Sequence, residues 1–307
     1  MRIVLFCLVF SLMLCVGCHD VAVPTEAERS DIAMDTIITL KAKGNNAQVA
    51  IDESFQRITA LEKTIADDVE KVETVSGSSD FVQVSQDTYE ILKTAQKYSQ
   101  LTDGAYDVTI GAAVELWNIG SDNSRVPSNE AIEAVKSFVG YEHLHLKDEE
   151  CGVRLDLRGV KIDLGALAKG YAVDLVHQIY IENGITDGLI DFGTSTIYAF
   201  GNKRIGLKNP RQPDIIYKII EVKDAAISTS GDYIKYFIAD NRRYHHIIDP
   251  RTCEPAQSGV SSVSVIVDNE VEHCAMVADI LSTATFVNPK FRVPNAEFII
   301  IKNETGG

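Results

Sequence analysis

Positive charge is what this 307-residue sequence is short of: 29 Lys and Arg stand against 44 Asp and Glu, for a formal net charge of −15. So acidic a surface repels phosphate backbones, which excludes nucleic acid as a partner. A diphosphate ligand is not excluded, provided that a divalent cation stands between the two. Cysteine is also scarce. Cys7, Cys15 and Cys18 fall at the N-terminus, and only Cys151, Cys253 and Cys274 remain. Three is an odd number and the spacing is not that of a metal site, which argues against a disulfide framework and a zinc module alike. A Cys151–Cys253 bridge is open to an exported protein, but free buried thiols fit the pattern better. No stretch rich in Pro, Gly or Ser cuts the chain into independent domains, and no period of about 20–50 residues marks a repeat array. Hydrophobic residues at 45% and charged residues at 24% are ordinary for a chain with a buried core.

The N-terminus reads as targeting signal rather than fold. Met1 and Arg2 give a minimal positive start, and Ile3 to Val16 is an apolar run too short for a comfortable membrane span. Val16-Gly17-Cys18 resembles a lipoprotein cleavage site, with Cys15 where Leu is usual. The expectation is a signal peptide over 1–17, a lipid anchor on Cys18 and an exported protein held on the envelope side of the cell membrane. A polar tether over 18–30 and one catalytic domain over 31–307 follow.

Periodicity sets out the rest. Thr36 to Ala42 reads as a strand, and Ile51, Phe55, Ile58 and Ile65 recur at helical spacing, which predicts a helix over about 47–66 and a loop over 67–80. Ser85 caps a helix that Asp103-Gly104 ends, and Ser128 opens another that stops near Gly140. Strands are expected over 143–147 and 153–157, then a helix from Leu167 to Glu182. Strands over 188–192, 197–200, 217–222, 233–239, 243–248 and 261–267 come next. A helix from Asp268-Asn269 to about Val287 and a strand over 297–301 complete the chain. Helices first and a meander of strands later describe a mixed α/β, or α+β, chain.

Four segments carry more chemistry than a fold requires. Asp103 to Asp107 is either a helix stop with a core tyrosine or a bend that presents an aromatic ring and carboxylates. Asp163 to Tyr171 places an acidic residue at a strand end, small residues in a turn, and Lys169 in a first helical turn. A lysine there opposes the helix dipole and calls for a compensating anion such as phosphate, although an ordinary strand-to-helix turn reads the same way. The segment is not a P-loop, because the glycine spacing and the Lys-Ser/Thr pair are missing. In Tyr244 to Thr252, the adjacent His245 and His246 point to opposite faces of a strand, so that one of them faces a cleft as proton acceptor or ligand contact, or neither does more than pack. Asp279 and Thr283 are one turn apart on a very apolar helix, where two oxygens can share one hard cation.

Taken in order, these segments resemble the ApbE family of FAD:protein FMN transferases. The carriers are Met34-Asp35-Thr36, Asp103 to Asp107, Asp163 to Asp174, Asp191-Phe192-Gly193, Ile227 to Asp232, His246 to Thr252 and Ala278 to Thr283, over about 34–287. The resemblance implies a T-fold-related architecture of two intertwined lobes, with FAD as substrate in the cleft between them. It implies that Met34, Ala105, Tyr106, Asp107, Asp163 and Lys169 contact the flavin nucleotide. Mg²⁺ would be held by the carbonyl of Ala166 with Asp279 and Thr283. His246 would assist proton removal from a threonine of an exported redox protein, which takes FMN as AMP leaves. The chain departs from the family at Asp35, where Gly is usual, at Glu73, where Asn is usual, at Thr194-Ser195 and at Cys253. Glu73 falls in a segment that the resemblance assigns to the nucleotide pocket, and it keeps a second reading open, Mg²⁺-dependent hydrolysis of FAD to FMN and AMP. A third reading is a non-catalytic flavin-binding lipoprotein.

Overall fold

A computed structural model describes residues 24–303. The expected signal peptide, Cys18 and the first part of the tether lie outside the described residues. The tether is shorter than expected, since β1 (Thr25–Ala33) is already a strand and pairs along its length with β2 (Thr36–Gly44). Charged and polar side chains line β1, which stands at one edge of the main sheet and so discourages further pairing there.

The next strands of that sheet are β6 (Ile185–Asp191), β7 (Thr196–Asn209) and β8 (Gln212–Gly231). β13 (Val260–Asp268) and β14 (Ala296–Lys302) complete it. The order β1-β2-β6-β7-β8-β13-β14 is antiparallel throughout. One face carries α1 (Ala47–Thr74), α5 (Ala168–Glu182) and α6 (Cys274–Val287). Ile38, Leu40, Phe192, Val263 and Val265 on the strands meet Ile58, Val173, Ile280 and Leu281 on the helices in one core.

α1 runs eight residues past its expected end. Leu61, Ile65, Asp68 and Val72 are all buried, so the inward stripe continues with an acid in the place of an apolar side chain. Asp68 accepts bonds from the Ser85 amide, the Thr88 hydroxyl and the Lys71 ammonium, which satisfies it where it is. The expected loop over 67–80 therefore starts only after Thr74. α6 begins later than expected, at Cys274, because Asp268 closes β13 and His273 takes a left-handed conformation just before the helix.

The opposite face of the sheet is covered by the chain itself. β7 and β8 are far longer than the sequence suggests, and they turn at Gly201 and Asp224, both with positive φ and joined by a 2.7 Å bond from the Gly201 amide to the Asp224 carboxylate. Beyond that turn the hairpin folds back, packing Leu207 and Ile220 with Ile227 and Ile266. Arg211 at its tip forks onto both oxygens of Asp232 at 2.7 Å.

The second lobe is built from two interleaved stretches. α2 (Gln86–Leu101) stands beside a small sheet of β3 (Val82–Gln83), β5 (Gly152–Leu155) and β4 (Leu144–Lys147). α3 (Gly111–Trp117) and α4 (Asn129–Lys136) join the hairpins β9–β10 (Tyr236–Ala239, Arg242–His245) and β11–β12 (Ile248–Asp249, Glu254–Pro255). Trp117, Ile132, Tyr244, Ile248 and Cys253 form their core. Cys151, Cys253 and Cys274 are free thiols; Cys253 and Cys274 are buried as expected, whereas Cys151 is half-buried.

Candidate functional site

Where the two lobes meet lies a cleft of about 590 Å³, a size typical of small-molecule sites. The residues that the resemblance assigns to nucleotide, metal and proton transfer line it: Met34, Ala105, Tyr106, Asp107, Asp163, Ala166, Lys169, His246, Asp279 and Thr283. They come from segments up to 249 residues apart.

Met34 and Asp35 form the two-residue turn between β1 and β2, both with positive φ, the geometry that suits a tight hairpin. The Met34 amide donates to Glu62 on α1, which holds this turn at the rim. Ala105, Tyr106 and Asp107 follow the end of α2 and are buried. Asp107 accepts from both the amide and the hydroxyl of Thr109, and burial still pushes its carboxyl above the usual range. The Tyr106 hydroxyl is buried with no hydrogen-bond partner among the described residues. Burial first, and then the carboxylates of Asp279, Asp163 and Asp107, push it well up, so it stays a neutral donor.

α5 starts over the cleft without a side-chain cap. Asp163 holds the preceding turn by accepting from the Gly165 amide at 2.7 Å, and Lys169 donates to the Gly165 carbonyl at 2.8 Å. Glycine at 170 is obligatory. A Cβ there would lie 2.5 Å from the Ala275 carbonyl oxygen, so only glycine lets α5 and α6 cross this closely.

Asp279 is the centre of the site. Its side chain is buried, where a carboxylate is costly unless something satisfies it. No ion pair to Asp279 exists among the described residues. Its oxygens accept instead from the neutral donors Ser228 Oγ at 2.9 Å, the Gly170 amide at 3.2 Å and Ser195 Oγ at 3.4 Å. Desolvation pushes its carboxyl up, opposed most by the Lys169 cation nearby and then by these hydrogen bonds. A buried carboxylate held only by neutral groups, with the Thr283 hydroxyl one turn on and Ala166 across the cleft, fits a hard cation that still has places for ligand oxygens. No group of three or more His, Cys, Asp or Glu suited to a metal ion exists among the described residues, so a cation here draws most of its donors from neutral oxygens and from the ligand.

The two histidines divide, although the expected strand over 243–248 breaks between them: β10 ends at His245 and His246 lies in the bend before β11. His245 is buried edge-on against Phe286 and donates from Nε2 to the Ala256 carbonyl. His246 borders the cleft. Its Nδ1 lies 3.2 Å from the Lys235 carbonyl oxygen, which can only accept. Nδ1 therefore carries the proton, and Nε2 keeps a free lone pair. Burial pushes this imidazole down to about 4, with the charges of Lys235 and Lys169 contributing in the same direction, so it is neutral near pH 7.

The segment from Asp67 to Glu73 reaches the cleft through Val69, whereas Glu73 itself does not line it. Glu73 lies on the last turn of α1 and accepts from the Ile162 amide at 2.7 Å. The Ile162 amide that it holds belongs to the backbone next to Asp163. Ser195, Ser228, Ser230 and Lys235 belong to the site and had no role assigned from sequence. The signal was present in the hydroxyl run Ser228-Thr229-Ser230, although hydroxyls have many uses and only tertiary contact reveals which one applies.

Comparison with known proteins agrees with this geometry. The sequence profile of the ApbE family matches residues 34–295. The FAD:protein FMN transferase of Vibrio cholerae is 32% identical over 294 residues, covering 90% of this chain and 85% of that protein. The FAD:protein FMN transferase of Treponema pallidum is 29% identical over 303 residues, covering 88% and 81%. Among solved structures, the ApbE protein of Thermotoga maritima aligns with a TM-score of 0.79 at 31% identity, covering 92% of this chain and 98% of that one. The flavin transferase ApbE of Vibrio cholerae gives 0.72 at 26% identity. The chain belongs to the ApbE family.

Proposed function

We propose that this protein transfers FMN from FAD to a hydroxyl of a target protein, with Mg²⁺ as cofactor and a threonine of an exported redox protein as acceptor. The observation that carries this reading is the single cleft in which a neutral His246, a buried Asp279 with Thr283, and Lys169 all meet. The relatives named for this activity cover most of the chain, which supports the same reading.

In the reaction, the acceptor oxygen attacks the phosphorus on the FMN side of the diphosphate. A new P–O bond forms, the P–O bond to the AMP phosphate breaks, and AMP leaves with the electron pair. His246 Nε2 takes the hydroxyl proton, and its own Nδ1–H, bonded to the Lys235 carbonyl, keeps the ring in the receptive tautomer. Asp279, Thr283 and the Ala166 carbonyl would hold Mg²⁺, which when bound draws charge from phosphate oxygens and orients them. Lys169 contributes a second positive charge in a cleft whose other charged walls are mostly acidic. Tyr106 offers its unpaired hydroxyl to the ligand, and the apolar residues Ile65, Val114 and Ile234 supply a surface for the flavin ring. Positioning and charge neutralisation dominate in phosphoryl transfer, which suits a site rich in hydroxyls and poor in nucleophiles.

Export and a lipid anchor on Cys18 belong to the same proposal and rest on the leader. Incubating the full chain with FAD and Mg²⁺, with and without an exported redox domain that carries a threonine acceptor motif, tests the chemistry. AMP together with flavinylated acceptor is the expected result. FMN plus AMP with the acceptor unmodified means hydrolysis, and unchanged FAD means a binding protein.

A further inference from the structure

Five acids line the cleft, Asp35, Glu62, Asp107, Asp163 and Asp279, against two lysines. Lys169 sits at the Asp279 end and is bonded to the Gly165 carbonyl. Lys235 has received no role beyond its carbonyl. That carbonyl accepts from both the amide and the Nδ1 of His246, at 3.1 and 3.2 Å, so the backbone of Lys235 and the ring of His246 are fixed relative to each other. Its aliphatic stem is also seated. A Cβ on Gly120, which has a φ of +96°, would lie 3.2 Å from Lys235 Cδ and 3.5 Å from its Cβ and Cγ, so the stem lies against residue 120. The ammonium has no acidic partner among the described residues, in a protein with a large excess of acids. An unpaired cation on a seated stem, beside the proton acceptor and at the rim of an acidic cleft, is placed to meet an anion.

We propose that Lys235 is a catalytic residue whose ammonium contacts the phosphoryl group under attack and stabilises the negative charge that builds there, next to His246. This rests on the transfer reading above. Lys235 stays protonated throughout: it gives no proton and forms no bond, while the hydroxyl proton goes to His246 and the electron pair leaves with AMP. Lys169 and Lys235 then divide the polyanion between them, one beside the metal residues and one beside the base. A cation that acts on charge developing in the transition state changes turnover more than ground-state affinity.

Three variants test this, with FAD, Mg²⁺ and the exported redox domain as probes. Lys235→Met keeps a stem to lie on Gly120 and removes the charge; Lys235→Arg keeps the charge; Lys235→Ala removes both. Quenching of flavin fluorescence gives the Kd for FAD, and single-turnover release of AMP gives the rate. The expected result is a rate lower by about 10²–10³-fold in Lys235→Met, as for loss of one transition-state donor, with Kd changed far less. Lys235→Arg should recover most of the rate. A Lys235→Met protein at the wild-type rate overturns the assignment, and so does a loss confined to Kd. A defect in Lys235→Ala that is absent in Lys235→Met also overturns it, since the stem alone would then matter. A wild-type chain that leaves the acceptor unflavinylated brings down the transfer reading as well, whereas a wild type that flavinylates it beside a full-rate Lys235→Met brings down this assignment alone.

Discussion

The Gly170 amide donates to Oδ2 of Asp279 at 3.2 Å, and this bond joins the start of α5 to the middle of α6 at the floor of the cleft. The contact exists because residue 170 has no side chain. Asp174, one turn along α5, adds to it by accepting from the amides of Ala275 and Met276, which closes the N-terminus of α6. Burial raises the Asp174 carboxyl to about 7, although these two amides oppose the shift.

Gly170→Ala should therefore damage both stability and activity. The added methyl would sit 2.5 Å from the Ala275 carbonyl oxygen, a backbone atom with little room to give way. Overpacking of this kind costs about 1–3 kcal/mol, or roughly 2–4 °C of Tm per kcal/mol for a chain of this size. Calorimetry checks the first effect and AMP release the second. An unchanged Tm with unchanged activity would show that the helices part without consequence.

Asp279→Asn retains size and one oxygen but loses the charge that would offset a cation. AMP release should fall by on the order of 10²–10³-fold and recover only partly with excess Mg²⁺. Tm should hold or rise, since a buried amide is cheaper than a buried carboxylate. Isothermal titration with Mg²⁺ gives a readout independent of activity, and undiminished Mg²⁺ affinity in the variant would remove Asp279 from the metal site.

His246→Ala should slow AMP release by about 10²–10⁴-fold with FAD binding kept, the usual range for a lost general base. His245→Ala should act on stability instead, by about 1–3 kcal/mol, because the Ala256 carbonyl is left buried without its donor. The reverse pattern would make His245 the base.

The pH profile follows from the same ring. Protonation of His246 removes the acceptor lone pair, so activity is lost as pH falls through its pKa. Burial places that pKa at about 4 in the free protein, below the ordinary imidazole value. kcat/KM, which reports groups of the free enzyme, should stay flat from near neutrality down to about pH 5. The acid limb of kcat should lie higher, since the bound diphosphate favours the imidazolium. A kcat/KM limb centred on the ordinary value would contradict the lowered pKa of this ring.

Arg211→Ala leaves the buried Asp232 carboxylate without its fork. Loss of one partner of a buried pair costs about 3–5 kcal/mol, and the partly exposed guanidinium places this case at the lower end. Hydrogen exchange should rise first in the outer half of the β7–β8 hairpin. Uniform protection across the sheet in the variant would show that the apolar contacts of Leu207 and Ile220 hold the arm by themselves.

The sequence by itself determined most of the elements, and the segments it singled out meet at one cleft. Helical spacing placed α2 and α5, and the one-turn spacing of Asp279 and Thr283 put both on the cleft side of α6. Those signals are local, set by backbone periods that hold in any surroundings. Tertiary structure decided the rest. α1 reaches Thr74 because Asp68 finds Ser85 and Thr88, partners that lie 17 and 20 residues away. The outer half of the β7–β8 hairpin is stable because it folds onto Ile227 and Ile266, so its apolar residues cannot reveal from sequence which surface they cover. The compensation of Asp279 was equally hidden: a carboxylate in an apolar helix announces that something must satisfy it, but only the packing of β8 and α5 against α6 shows that two serines and the amide of a glycine do so. Burial, unlike periodicity, is a property of the whole chain, and the environment of each buried charge is fixed only when distant segments close around it.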